Sequence, residues 1–544
     1  MNERTKGVAF STSFALAALL ALLSIAPTLF ATETELTNPT KARPPANFVG
    51  RLQPPEGADA TTETAAEILI PTTGPLVLGI EGAILLTLER NNDLRLARLN
   101  PLIRHTAEQV ARAAFDPTVS AQYSYSRSRT KTRVLGEPDP VDATKRAAAA
   151  VGLSQFFPTG TRIDADVDIS ETRRTGALDS NVGGAQLSVT QALLRGAGLA
   201  VNLASLRLAR IDTRVSEYEL RGFAESLVAN VEQTYWAYAL AQRQIDIFEN
   251  SLALAEQQLA EVEAFIEVEK LAGRERAAAE AEVASRREAL INARTSLAQT
   301  RLQLLRLINP PTENYWTRDI VLLDQPEAEE IRLDDVEQHV ALALRMRPEI
   351  NQARLSIKRG DIDIVRTRNG LLPRLDLFIT LGRTAFSNSF SDSFDGELSY
   401  TADASVGLTF DYPLGNRTAR AQHRRAQLSH DQIETSLLNT MQLIQVDVRS
   451  AYNDVSRFQE QIVATAATRK LREETLFSET EKFKIGKSTS LLVAQAQRDL
   501  LVSQLAEVQS VVNYIRALVD LYRLDGSLLL RRGIDAPGLL PFSD

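Results

Sequence analysis

Apolar residues recur at heptad spacing through two long stretches of the chain that contain no proline. Between residues 199 and 266 the only glycine is Gly222, and the good helix formers Ala, Glu, Gln, Leu and Arg predominate. At about 1.5 Å per residue this stretch predicts a helix of roughly 100 Å. A period of about 3.5 residues predicts that its apolar seam packs on another helix with a supercoil. The seam has two registers: Ala224, Val231, Tyr238, Ile245, Leu252, Leu259 and Ile266, and Leu220, Leu227, Thr234, Ala241, Phe248, Ala255 and Val262.

The second half of the chain repeats this order of elements. Residues 418–482 again lack Pro and Gly, and Met441, Val448, Val455 and Ile462 follow one another every seven residues. In each half a shorter helix is predicted after a glycine, over 274–308 after Gly273 and beyond Gly486 in the second half. Shorter helices are also predicted at 79–115 and 333–369, ahead of the long ones. The pattern indicates an internal duplication of one large unit.

Between the helices the apolar period changes from about 3.6 to 2, which predicts strands. Four such segments lie near residues 119–126, 185–190, 374–381 and 402–412. Strands of about 9–11 residues built around these segments could each cross a bilayer when tilted, with lipid on the apolar face and water on the polar face. A soluble antiparallel sheet alternates in the same way, so alternation alone leaves both interpretations open. Four strands cannot close a barrel, whereas three copies of the chain would close one of twelve.

The first half contains a further predicted hairpin, residues 151–157 and 163–170 around the turn Pro158-Thr159-Gly160. Three carboxylates share one face of its second arm. Because even one Asp on the lipid face of a barrel is destabilising, this face must contact water. The hairpin therefore lies either beyond the outer leaflet or in the wall with its acidic face toward the lumen, which would give six strands per chain and a larger barrel. The carboxylates are Asp164, Asp166 and Asp168.

The first 31 residues are typical of a secretory signal peptide, because Arg4 and Lys6 precede an apolar run over residues 8–30. An uncleaved membrane anchor is the alternative, since the run is long enough to span a bilayer. Residues 32–75 are rich in Pro, Thr and Ala and are predicted to form a disordered or extended leader.

Composition narrows the possible chemistry. Lys plus Arg number 61 and Asp plus Glu 69, a net charge of -8, so the basic excess typical of a nucleic-acid partner is missing. There is no cysteine, and the four histidines are scattered, which disfavours a metal centre or any other cofactor. Gly486-Lys487-Ser488 resembles the end of a phosphate loop, but Glu481 stands where that motif needs glycine. We therefore expect no enzymatic activity.

Several short motifs occur in an order that resembles one family. Phe115-Asp116-Pro117 leads into a strand, and Arg347-Pro348-Glu349 opens the second half. Residues 189–196 match a strand-to-helix junction, and 408–415 are its second copy. Over about residues 76–530 the chain resembles the TolC-like outer-membrane efflux and secretion channels. One departure is Ala192, where the family usually has proline, while the second copy keeps Pro413.

The resemblance implies a mixed, mainly α fold. Long coiled-coil helical hairpins of the duplicated unit would form a periplasmic α-barrel, and the amphipathic strands would complete a trimeric transmembrane β-barrel. The implied segments are a signal peptide (1–31), a leader (32–75), a first repeat (76–308), an equatorial girdle (309–345), a second repeat (346–530) and a C-terminal tail (531–544).

The resemblance also implies a function and partners. It describes a homotrimeric export duct in the lipid of the outer membrane, with most of its mass in the periplasm. The duct would conduct substrates passively in a tripartite efflux or type I secretion system. A periplasmic adaptor and an inner-membrane transporter of the RND or ABC class would deliver them. A periplasmic coiled-coil adaptor of the membrane-fusion type and a coiled-coil scaffold are the alternatives, but an adaptor would have one helical hairpin and a lipoyl-like domain.

By the same resemblance, the second helical turn and the helix after it contain the closed periplasmic aperture. Leu491, Gln495 and Arg498 are the predicted gate residues, with Leu491 forming a dewetted ring. Ordinary coiled-coil packing of Leu491 is the alternative. Gln495 stands where the family often has an acidic residue, so an acidic ring is not expected there. The predicted adaptor-docking residues at the two tips are Gly273, Arg274, Gly486 and Lys487.

Overall fold

A computed structural model of the chain shows a mixed, mainly α architecture, as predicted. The predicted signal peptide and nearly all of the leader lie outside the described residues. None of the described helices is both long and apolar enough to span a membrane. The structure describes residues 74–131, 141–175, 178–310, 315–327, 332–387 and 400–537.

The first half contains five α-helices within the described residues. The predicted helix at 79–115 is in fact two, because the chain turns at Asn91. The Asn91 side chain caps the second helix by accepting from Leu94 N at 3.0 Å, and its amide donates to Leu307 O at 3.0 Å. The helices are α1 (Ile80–Arg90), α2 (Asn92–Arg112), α3 (Leu199–Asn202), α4 (Ala204–Glu267) and α5 (Arg274–Ile308).

The second half repeats this order. The predicted helix at 333–369 is likewise divided, because Pro348 takes the first helical position and restricts Arg347 to an extended backbone. A short helix then follows the last long one. The helices are α6 (Val336–Met346), α7 (Pro348–Asn369), α8 (Arg417–Lys484), α9 (Ser490–Leu524) and α10 (Leu528–Arg531).

The long helices pair as the heptad pattern predicts. Helix α4 packs against α5, α8 packs against α9, and α9 also packs against α4. In the second predicted register of α4 every residue except Phe248 is buried. The largest apolar core lies where α1, α4, α5 and α9 meet, around the fully buried Tyr235, Leu304 and Leu305.

A small parallel sheet connects the girdle to the start of the first repeat. Strand β1 (Leu76–Leu78) pairs with β6 (Ile320–Leu322), which the sequence pattern did not predict. The hydroxyl of Tyr235 donates to Leu78 O at 3.1 Å, and that of Tyr238 donates to Ile320 O at 3.1 Å. The long helix α4 therefore holds both strands of this sheet.

The other strands form one antiparallel sheet in the order β2-β3-β4-β5-β7-β8. These strands have 12 to 16 residues, more than the predicted 9–11. They are β2 (Thr118–Lys131), β3 (Val141–Phe156), β4 (Thr161–Arg174), β5 (Ser180–Ala192), β7 (Arg374–Ser387) and β8 (Tyr400–Asp411).

The predicted extra hairpin is β3–β4, and it lies between β2 and β5 in this sheet. Its turn lies at the helical end of the sheet, where the Asn202 amide donates to Pro158 O at 3.0 Å. The turn of the hairpin thus lies at the same end of the sheet as the junctions with the helices. The described residues contribute six strands to this sheet, the larger of the two strand counts that the sequence left open.

A buried polar cluster lies where the two repeats meet. Arg221 on α4 donates to Glu225 at 2.9 Å and to the carbonyl of Gly526, after α9, at 3.0 Å. His339 on α6 lies 2.8 Å from the carboxylate of Asp525. Burial raises the pKa of Glu225 to about 7, because loss of hydration outweighs the opposing effect of Arg221.

Candidate functional site at the helical tips

Two helical turns lie at the end of the long hairpins, one between α4 and α5 and one between α8 and α9. Gly486 has a φ of 75°, a left-handed conformation that favours glycine. Gly273 has a φ of -56° and caps α5 in an ordinary helical conformation. The left-handed residue of the first turn is Glu269, with a φ of 57°, a position that the sequence analysis missed.

The two tips pack against each other through aromatic side chains. The rings of Phe265 and Phe483 have centroids 5.5 Å apart and lie at 61°. Phe483, Val262 and Val493 are buried together in a small apolar cluster. An edge-to-face ring pair contributes stabilisation beyond its buried area, so this cluster fixes one hairpin tip on the other.

Charged groups connect the same two hairpins a little further from the tips. Glu282 on α5 accepts from Arg498 on α9 at 2.8 Å and from Arg286 at 2.5 Å. Nearer the turn, Ser490 Oγ donates to Glu275 Oε2 at 2.7 Å. Glu282 is largely buried, so its hydrogen bonds to two arginines are stronger than an exposed ion pair would be. Of the predicted gate residues, Arg498 is thus the one that joins the hairpins.

The other two predicted gate residues lie on the open face of α9. Leu491, Gln495 and Arg498 are all exposed in the single chain, and their spacing places them on one face of the helix. Leu491 is 63% exposed, whereas Val493 is completely buried in the helical seam. Coiled-coil packing within one chain therefore does not account for Leu491.

The predicted docking residues are at the ends of the hairpins. Gly273 and Gly486 have open space where a side chain would extend. Arg274 and Lys487 are both exposed. Each turn therefore carries one of these exposed cations.

The predicted acidic strand is β4, far from the tips. Asp164 accepts from Ser154 Oγ at 2.5 Å. Asp166 lies opposite Gly152, and Asp168 lies opposite Gly184. All three are on one face of the sheet, as the alternation predicted.

One group within the described residues has the donor atoms of a cation site. His430, Asp431 and Glu434 offer ligand atoms within 4.8 Å of one another. The Nε2 atom of His430, however, lies 3.0 Å from Asp361 Oδ1 on α7, and its Nδ1 lies 3.7 Å from Glu434. The Asp361 contact connects α7 to α8, while Glu434 lies one turn from His430 on α8 itself.

The ring pair gives a test of how the tips are held. We expect Phe483→Ala to weaken the contact by about 3–5 kcal/mol, because it removes a buried ring and leaves a cavity. Hydrogen exchange at the amides of both tips should then accelerate. Ile485→Ala is the matched control, since Ile485 is exposed on the same turn and its loss should change little. Equal effects of the two substitutions would show that the rings do not hold the tips together.

Comparison with known proteins is consistent with this architecture. Residues 340–527 match the family model described as outer membrane efflux protein. No curated protein sequence matches the chain.

Solved structures with the same fold cover most of the chain. The outer-membrane channel OprN has a TM-score of 0.63 and 17% identity, over 82% of this chain and 89% of that chain. The Campylobacter jejuni CmeC outer membrane channel has a TM-score of 0.63 and 15% identity, over 86% and 87%. The open state of the Neisseria gonorrhoeae MtrE outer membrane channel has a TM-score of 0.59 and 19% identity, over 82% and 89%.

The predicted resemblance is therefore confirmed at two levels, by a family match in the second repeat and by fold over most of the chain. The chain has the fold of the TolC-like outer-membrane channels, and its residues 340–527 match the outer membrane efflux protein family.

Proposed function

We propose that the chain is the outer-membrane export duct of a tripartite efflux or type I secretion system, and that it acts as a homotrimer. The duct performs no chemistry. An inner-membrane transporter of the RND or ABC class supplies the energy, and a periplasmic adaptor connects the two. The observation that carries this proposal is an amphipathic sheet at the end of long helical hairpins, with both of its edges open in the described part of the chain.

The sheet needs further copies of itself. Strands β2 and β8 each pair on one side only within the described residues, and both carry large exposed apolar side chains. Val406 and Tyr123 are both 73% exposed in the single chain. Open edges invite pairing with another chain, and closure into a barrel removes them. Pairing of β8 with β2 of the next copy would satisfy both edges and place the apolar face in lipid.

The helical part of the chain also has apolar surfaces that further copies of the chain would cover. Helix α2 carries an apolar stripe that nothing in the described chain covers: Leu96, Leu99, Ile103 and Val110, with exposed fractions of 49% to 73%. Helix α8 exposes a second apolar face that includes Leu428, Leu438 and Val446. Such stripes in a soluble region indicate a protein interface. We assign them to the contacts between neighbouring copies in a periplasmic helical tube.

The helical tips would be the ends that meet the adaptor. A photo-crosslinker at position 487 is expected to capture the adaptor in intact cells, because Lys487 is exposed at the α8–α9 turn. A crosslinker at Trp316, in the girdle, is the comparison. Capture only at position 316 would move the docking surface away from the tips.

The same ends would contain the closed aperture. In a trimer, three copies of α9 would bring their exposed Leu491 side chains toward the axis. Apolar rings can block ion flow by excluding water, so Leu491 is the proposed barrier. The contact of Arg498 with Glu282 would hold α9 against the first hairpin and keep the aperture narrow.

This barrier can be tested in planar lipid bilayers. Leu491→Ser is expected to raise the closed-state current severalfold, because a hydroxyl lets water wet the constriction. Val502→Ser is the control, since Val502 is exposed on the same helix but well away from the turn. An unchanged closed-state current in Leu491→Ser would show that Leu491 is not the gate.

A further inference from the structure

We propose that the β3–β4 hairpin is a wall segment that widens the transmembrane barrel to eighteen strands and so sets the size of cargo that can pass. The inference rests on the proposed trimeric duct, in which three copies of the six-stranded sheet close on one another. The sequence pattern without this hairpin would give only twelve strands.

The apolar and polar faces of the hairpin lie on the same sides of the sheet as those of the other strands. One transverse row is apolar across all six strands, and the adjacent row is polar or glycine. A segment that folded over the sheet would not share both its register and its polarity. The apolar row is Val119, Leu153, Ala165, Leu187, Leu381 and Ala404, and the adjacent row is Ser120, Gly152, Asp166, Gln186, Gly382 and Asp403.

The hairpin also pairs on both sides along nearly its whole length. Strand β3 is bonded to β2 from Thr118 to Lys131, and β4 is bonded to β5 from Thr161 to Thr172. Removal of the hairpin would leave β2 and β5 with unpaired backbone groups unless they paired with each other. In the structure they do not, and the hairpin supplies the partners of both.

The turn of the hairpin is held by a specific site at the junction with the helices. Asn202 on α3 donates to the carbonyls of both Pro158 and Gly196, at 3.0 and 2.9 Å. Gly160 has a φ of 91°, and a Cβ there would lie 2.5 Å from the Gly196 carbonyl. Because the turn fits the junction this closely, we infer that the hairpin has a fixed position in the barrel wall.

The hairpin explains why the two strand-to-helix junctions differ. In the first junction Ala192 N donates to Gly160 O at 3.1 Å, a bond that a proline could not make. In the second junction Pro413 follows β8, which is an edge strand and has no such neighbour among the described residues. The junction beside the hairpin thus has Ala192, whose backbone N–H can donate to Gly160 O, instead of a proline, which has no N–H.

The consequence is a wide, hydrated bore. Barrel diameter grows roughly in proportion to strand number, so eighteen strands give about one and a half times the diameter of twelve, and barrels of 16–18 strands leave an aqueous channel. Asp166 and Asp168 each face a glycine on one neighbouring strand, so no side chain covers the carboxylates on that side. The cargo class that fits is bulky and hydrophilic.

Single cysteines can test the position of the hairpin, because the chain contains none of its own. Asp166→Cys and Val167→Cys lie side by side on β4 but on opposite faces. In proteoliposomes a water-soluble maleimide should label Asp166→Cys, and lipid should protect Val167→Cys. Gln186→Cys and Leu187→Cys on β5 are the matched pair in a strand predicted from the pattern alone.

The labelling results distinguish a failure of the hairpin proposal from a failure of the proposed duct. Alternation in both strands supports the proposal. Alternation in β5 with labelling of both β4 positions would place the hairpin outside the bilayer and overturn the proposal, while the duct itself would stand. Loss of alternation in β5 would contradict the proposed function. Counting strands in an electron cryomicroscopy map of the trimer in a nanodisc should give eighteen, and a count of twelve would overturn the widening.

Discussion

Arg532→Ala is expected to destabilise the contact between the C-terminal segment and α4 by about 3 kcal/mol. Arg532 makes two hydrogen bonds to Glu232, at 2.7 and 2.6 Å, and the Glu232 side chain is completely buried. Removing one partner leaves an uncompensated charge in a site of low polarity, which typically costs about 3–5 kcal/mol. We take the lower end because Arg532 itself is partly exposed to water. Hydrogen exchange at the amides of α10 would measure the loss.

The double variant Glu232→Gln with Arg532→Ala is the control for this prediction. It removes the charge as well as its partner, so most of the lost protection should return. If the single and double variants exchange equally fast, the effect comes from lost packing of the arginine stem. The buried carboxylate would then not be the cause.

The second large effect is a dependence of stability on pH that comes from Glu225. Its pKa is about 7 in the folded chain because the side chain is buried beside Arg221, whereas an ordinary Glu has a pKa of 4.5. Since the folded state binds this proton more tightly, its stabilising effect is complete below about pH 4.5. It is lost as the pH rises through about 7. The span corresponds to about 3 kcal/mol in the free energy of unfolding.

Glu225→Gln should remove this dependence. Unfolding curves of both proteins in detergent between pH 4.5 and 7.5 would show the wild type losing stability relative to the variant. Both proteins keep the neighbouring His339, Asp525 and Glu349, so the difference between the curves isolates Glu225. Parallel curves would show that Glu225 carries no raised pKa.

The helical part of the fold was predictable because the apolar pattern that marks a helix is formed by residues close together in the sequence. A heptad seam needs only neighbouring residues to be recognised, and α5 begins and ends where the pattern predicts, at Arg274 and Ile308. The breaks at Asn91 and Arg347 were missed because the apolar pattern continues across them. In each case a cap or a proline divides the helix.

The sheet was predictable only in part. Strand β3 begins at Val141, ten residues before the predicted segment, because the run Ala147 to Ala150 carries the same small side chain on both faces and shows no alternation. The order of strands depends on pairings between distant segments, which a single sequence does not state. The turn around Pro158 was identified correctly, but its contact with Asn202 was not.

The same limit applies to the helical tips. The resemblance alone predicts Leu491, Gln495 and Arg498 as gate residues, and all three share an exposed face of α9. Glu282 was missed because it lies 216 residues from Arg498 in the chain. Phe265 belongs to neither predicted register of the first seam, and only the folded chain brings its ring against Phe483.

The mass of the particle extracted from membranes tests the central claim most directly. If three copies close one barrel, the protein should stay with the membrane pellet, require detergent for extraction, and give a particle of three chains by native mass spectrometry. A single chain that remains in the aqueous supernatant after the membranes are removed would contradict the account.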